Sequence, residues 1–133
     1  MDDDRKRELI DIAAGLSGRF PLNGFETNSA GAVAAALVTE DGSVYTGICL
    51  ELACGIGFCA EHSAIAAMLK DRKTKIRSLV AVRFDGVILP PCGRCREMMV
   101  QVDLANLEAE IVIEGGEVVT LAELLPHTWS TIK

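Results

Sequence analysis

Aromatic side chains are scarce: one Trp, one Tyr and four Phe make up 5% of 133 residues. The core must therefore be built from Ala, Val, Leu and Ile. Positive charge is also in deficit. Thirteen Lys and Arg against nineteen Asp and Glu leave a net charge of −6 and a pI near 4.9, a poor match for a polyanion, so nucleic acid is excluded as a partner. The longest apolar run, Ala30 to Val38, has nine residues, against about 20 for a membrane-spanning helix. The opening Met1-Asp2-Asp3-Asp4 is acidic where a secretory leader is basic, and no apolar stretch follows it. A cytoplasmic protein without a membrane partner is expected. No repeat, low-complexity segment or Pro/Gly/Ser linker interrupts the chain, so residues 1–133 are expected to form one domain.

What is present is apolar and orderly. Half of the residues are hydrophobic and 24% are charged, which excludes disorder. A small, neutral or cationic ligand fits this composition best. Leu9, Ile12, Ala13 and Leu16 recur at helical spacing, predicting a helix over 5–16. Apolar runs at 32–39 and 43–50 flank Glu40-Asp41-Gly42, a hairpin signal. Residues 51–58 read as a loop, 59–70 as a helix, 78–84 as a strand and 92–102 as a helix. A short strand at 110–114, a Gly115-Gly116 turn and a helix at 121–125 complete the chain. The order α-β-β-α-β-α-β-α predicts an α/β protein with a mixed sheet covered on both faces.

Five cysteines, an odd number, in a reducing compartment point to metal binding or catalysis rather than a disulfide framework. Cys59 opens one predicted helix in Cys59-Ala60-Glu61. Cys92 and Cys95 open another in Pro91-Cys92-Gly93-Arg94-Cys95. A CxxC plus a third thiolate supplies three ligands and leaves one position open, the arrangement of a catalytic zinc site. Helix N-termini favour the thiolate form that a metal needs. Arg94 and Arg96 can offset part of the negative charge of three thiolates. Glu61, two residues after Cys59, is placed to accept a water's proton and pass it to a leaving group. His62 as a fourth ligand would close the site, so orienting a thiolate or a helix end suits it better. Cys54 is expected to be packing, while His127 and Asp71-Arg72-Lys73 are expected on the solvated surface.

C-A-E, with Cys92 following 31 residues after Glu61 in a P-C-x-x-C, is the pattern of zinc deaminases with Cys as the first ligand. The chain resembles the cytidine deaminase superfamily, in the small homo-oligomeric branch that includes cytidine and blasticidin-S deaminases. Thr46-Gly47-Ile48-Cys49-Leu50-Glu51 and Glu123-Leu124-Leu125-Pro126 extend the likeness over residues 32–129. The resemblance implies a three-layer α-β-α sandwich and one Zn²⁺ per subunit held by Cys59, Cys92 and Cys95. It implies attack at C4 of a cytosine ring, with Glu61 moving protons to N3 and then to the departing amine. It also implies that the backbone of Ala60 and Pro90 holds the ring, that homodimers or homotetramers share sites, and that Trp129 reaches a neighbouring subunit's substrate.

Three departures bear on the substrate. The N-x-E that holds a ribose hydroxyl in cytidine deaminases is Cys49-Leu50-Glu51 here, so the carboxylate remains but the amide is gone. His62 replaces an Arg that often follows the catalytic Glu. Pro21-Leu22-Asn23-Gly24-Phe25 replaces a Pro-Tyr-Ser-x-Phe segment. Cytidine and deoxycytidine head the expected substrates. A modified nucleoside or a cytosine-containing antibiotic such as blasticidin S is the rival, and an idle paralogue with structural zinc is a third reading.

Overall fold

The alternation of small apolar residues along two central strands decides the layering. A computed structural model describes residues 1–129. Its elements begin with α1 (Asp3–Leu16), β1 (Phe20–Pro21), β2 (Ser29–Thr39), β3 (Val44–Glu51) and α2 (Ala60–Lys70). They continue with β4 (Ile76–Arg83), β5 (Ile88–Leu89), α3 (Gly93–Val102), β6 (Glu110–Val112), β7 (Val118–Thr120) and α4 (Leu121–Leu124). The sheet order is β3-β2-β4-β6-β7, with β1 added to β2 and β5 to β4. Only β4 and β6 run parallel, and the crossover they require carries α3.

Successive strand residues face opposite sides. Ala35 and Leu37 of β2, with Leu79 and Ala81 of β4, join the cluster that includes Ala64, Ile65 and Met68 of α2 and Met99 of α3. Their neighbours Ala36, Val80 and Val82 join Leu9 and Ala13 of α1. The result is the three-layer α-β-α sandwich, with α1 alone on one face. Asp2 caps α1 by accepting the Arg5 backbone N–H at 2.8 Å, and Asp3 and Asp4 sit at its positive end. Gly47 on β3 lets α2 lie close, because a Cβ there would collide with the Ala64 nitrogen and the Ser63 side chain.

Several features depart from the sequence reading. The two-residue strands β1 and β5, and β7, are additional. β2 begins at Ser29 rather than 32, passing through Gly31 at φ +84° and a register shift between Ala30 and Ala34. Cys54 is not packing: it is exposed, at φ 61°, in a short 3-10 turn. His127 lies on the surface as expected.

Asn106 is fully buried and every polar atom of its amide has work. Its Oδ1 accepts the Ile76 N–H at 2.8 Å, and its Nδ2 donates to the carbonyls of Thr74 and Met99 at 3.0 and 2.9 Å. It thereby ties the end of α3 to the start of β4. Asn106→Ala would leave the buried Ile76 N–H without a partner and take one donor each from the Thr74 carbonyl and from the Met99 carbonyl, which keeps the Asp103 N–H at 3.3 Å, and should cost about 2 kcal/mol. Denaturant unfolding of the zinc-loaded protein checks this, and a loss below about 1 kcal/mol would mean that water or relaxation replaces the amide.

Candidate active site

Both cysteine motifs sit where a loop becomes a helix. Cys59 is the N-cap of α2 and Cys92 the N-cap of α3, with Cys95 in the first turn of α3. The hairpin from β4 to β5 delivers the second motif. It is closed by the Arg83 N–H on the Val87 carbonyl at 2.8 Å and by a two-point Arg83–Asp85 pair at 2.9 and 2.8 Å. Arg96 fixes the following turn, donating to the Pro91 carbonyl at 2.7 Å and the Leu124 carbonyl at 3.0 Å. Its charge therefore serves loop and helix ends, leaving Arg94 as the cation on the cavity wall.

The three sulfurs converge. Cys59 Sγ and Cys95 Sγ each lie 3.4 Å from Cys92 Sγ, and all three lie within 4.8 Å of one another. Tetrahedral bonds of about 2.3 Å to zinc space sulfurs by roughly 3.8 Å, so little movement is needed. The protonation pattern points the same way. Burial, then the Cys92 thiol, pushes Cys59 up to about 11. Burial and then the Glu61 charge push Cys95 up strongly. Burial alone would raise Cys92 too, but the Cys95 N–H, both neighbouring thiols and the Arg94 N–H hold it low. Three thiols facing each other cannot all ionise without a cation between them, and a thiophilic dication meets that need. Burial is graded, with Cys95 buried, Cys59 half-buried and Cys92 exposed, so the cluster is open on one side. The residues fit one zinc ion.

That open side faces a cavity of about 390 Å³. Glu61, only 4% exposed, lines it from the first turn of α2. Burial raises its carboxyl above the usual range, while a hydrogen bond with the Cys95 thiol opposes this. A proton transferred to Glu61 is therefore held more firmly than by a solvated carboxylate. Ala60 and Pro90 line the same cavity, as do Cys49 and Glu51. Cys49 Sγ accepts the Val33 N–H at 3.3 Å. Sequence reasoning missed Val33, Phe58 and Leu89 on the walls; Phe58, an aromatic directly before Cys59, was the available signal.

Two sequence-predicted residues stand apart. His62 lies outside the sulfur cluster. Its Nε2 is buried without a partner among the described residues, and burial and then the Arg94 charge lower its pKa. Trp129 is 69% exposed and does not line the cavity.

A three-thiolate centre with an open position, a buried carboxylate beside it and an α-β-α scaffold define a zinc-dependent hydrolytic deaminase. The described family "cytidine and deoxycytidylate deaminase zinc-binding region" matches residues 22–110, and the chain belongs to that family. It is 33% identical over 101 residues to a cytidine deaminase of Halalkalibacterium halodurans, covering 74% of this chain and 76% of that one. A cytidine deaminase of Sporosarcina psychrophila is likewise 33% identical over 106 residues, covering 74% of each. Among solved structures, the cytidine deaminase of Mycobacterium tuberculosis superposes with a TM-score of 0.73 at 27% identity, covering 97% of this chain and 98% of that one.

Proposed function

We propose that this protein hydrolyses the exocyclic amine of a cytosine nucleoside, cytidine or deoxycytidine, to give the uracil nucleoside and ammonia. The observation that carries the reading is the three-thiol cluster of Cys59, Cys92 and Cys95 beside a cavity that Cys59, Cys92 and buried Glu61 line together. Cys59, Cys92 and Cys95 would hold zinc, whose Lewis acidity makes an attacking water acidic near neutral pH. Glu61 accepts that water's proton, gives it to ring N3, and later carries one to the departing amine. The balance is one water consumed and one ammonia released, with oxygen replacing nitrogen at C4. Ala60, first residue of α2, has an N–H without a partner inside its helix, suited to the ring carbonyl. Pro90 has only a carbonyl to offer, suited to the amine.

Glu51 is the polar group for a sugar hydroxyl. Cys49 adds little beside it, since its sulfur already accepts a backbone N–H and a thiol donates weakly. That weakness favours a second reading, a modified nucleoside or a cytosine-containing antibiotic. In this reading the enzyme works in the cytoplasm, where its cysteines stay reduced. It works as a homodimer or homotetramer in which exposed Trp129 completes a neighbour's cavity.

Ammonia release from zinc-loaded protein tests the proposal over cytidine, deoxycytidine, cytosine, adenosine and blasticidin S. Turnover of cytidine or deoxycytidine, with cytosine and adenosine untouched, is expected. Turnover of blasticidin S alone would favour the second reading. No ammonia from any of the five, with one zinc per chain measured, would defeat the cytidine reading and leave an unusual amine substrate or a structural zinc.

A further inference from the structure

Glu51 is not held by its own strand alone. Ser29 and Glu51 are directly opposed in the β2–β3 register, so their side chains share a face. Ser29 Oγ donates to Glu51 Oε2 at 3.4 Å, and Arg19 Nε donates to Ser29 Oγ at 3.1 Å. Ser29 is 3% exposed. Its hydroxyl is thus a built-in link between a cation just before β1 and a carboxylate at the end of β3.

The direction of that link is fixed by donor counting. A guanidinium only donates and a carboxylate only accepts, so the hydroxyl must accept from Arg19 and give its single proton to Glu51. No cation pairs with Glu51 directly among the described residues, so the influence of Arg19 passes through Ser29. The local fold is arranged for this. Pro21 pairs with Ser29 and Phe20 with Ala30, and the Gly18 N–H donates to the Gly31 carbonyl at 2.8 Å. Those contacts lay residue 19 beside the start of β2. Gly31 is required, because a Cβ at its φ of +84° would strike the Gly18 carbonyl and the Phe20 ring. Glu51 Oε1 makes no hydrogen bond among the described residues, and Glu51 lines the cavity.

We infer that Ser29 is a positioning residue for substrate selection, set by Arg19, which turns Glu51 so that its free oxygen meets a hydroxyl on the nucleoside's sugar. The inference rests on the reading that Glu51 contacts the sugar. It goes further by naming what orients the carboxylate. The 3.4 Å contact is of the loose kind that tightens when substrate engages the other oxygen.

Steady-state kinetics of the zinc-loaded enzyme on cytidine and on 2′,3′-dideoxycytidine test it. Ser29→Ala should raise KM for cytidine about tenfold with kcat little changed. It should leave KM for dideoxycytidine where it was. Arg19→Met, at an exposed position, should raise KM for cytidine about threefold in the same substrate-dependent way. Ser29→Thr, which keeps the hydroxyl, should stay near wild type. In a Glu51→Gln background Ser29→Ala should add nothing further. Equal losses on both nucleosides, or full additivity with Glu51→Gln, would make Ser29 merely structural and overturn the inference. An unchanged KM for cytidine in Glu51→Gln alone would instead sink the underlying reading of Glu51, and the inference with it. Should Ser29→Ala not fold, Arg19→Met and Ser29→Thr decide the matter.

Discussion

Glu61→Gln is expected to lower kcat on a cytosine nucleoside by about three orders of magnitude, in the range that general acid–base groups contribute. The change is nearly isosteric, so the packing of α2 against β2 and β3 stays intact. Gln can neither accept the water's proton nor carry one to N3 or to the amine, and the other carboxylate of the cavity lining, Glu51, is engaged by Ser29. Zinc content should be unchanged, because the three sulfurs are untouched. Folding stability should hold or rise slightly, since a buried carboxylate at 4% exposure is replaced by a neutral amide. KM should change far less than kcat. The measurements are ammonia release, metal analysis and thermal unfolding on the same preparation. A kcat within tenfold of wild type would show that the proton travels by another route.

Cys92→Ser should cost the protein its metal. Cys92 is exposed, so the substitution removes almost no packing, and its consequences report the metal rather than the core. Zinc per chain should fall from one to near zero on dialysis, and deamination should fall with it. Zinc bound at 100 times its Kd stabilises the fold by about 2.7 kcal/mol, which for a domain of this size is a melting shift of roughly 8 °C. A strong chelator should lower the Tm of wild type by that amount and leave Cys92→Ser unmoved. Wild-type protein that stays fully active and equally stable after its zinc has been stripped would defeat the metal centre.

The readable parts of this molecule were local. Cys59 and Cys92 cap their helices because each stands at the end of a loop before an apolar helical period, and both signals lie in contiguous sequence. The hairpin of β2 and β3 was legible from alternating runs around Glu40-Asp41-Gly42. β7 left a signal that went unread: Gly115-Gly116 followed by Val118, Val119 and Thr120 is a strand after a turn. Two-residue strands such as Phe20–Pro21 and Ile88–Leu89 leave no periodicity, because they exist only where a partner strand offers an edge. The cross-strand pairing of Ser29 with Glu51 was invisible for a related reason. It depends on a register shift between Ala30 and Ala34, and register is a property of two strands together. Cys54 misled because cysteine is usually buried, whereas here a left-handed turn carries it outward.

The alternation along β2 and β4 has an evolutionary meaning. Ala35, Leu37, Leu79 and Ala81 belong to the layer that bears the cavity, whereas Ala36, Val80 and Val82 look to α1. Adjacent residues of one strand thus answer to different selective pressures. Drift under α1 trades packing volume against packing volume, and reaches the chemistry only through the strand backbone. Substitution on the other face reaches the cavity wall directly at Ala81. A lineage built on such a sheet can revise its substrate while its robustness is kept by residues that never meet it, and an odd residue such as Cys49 is the kind of revision that partition tolerates.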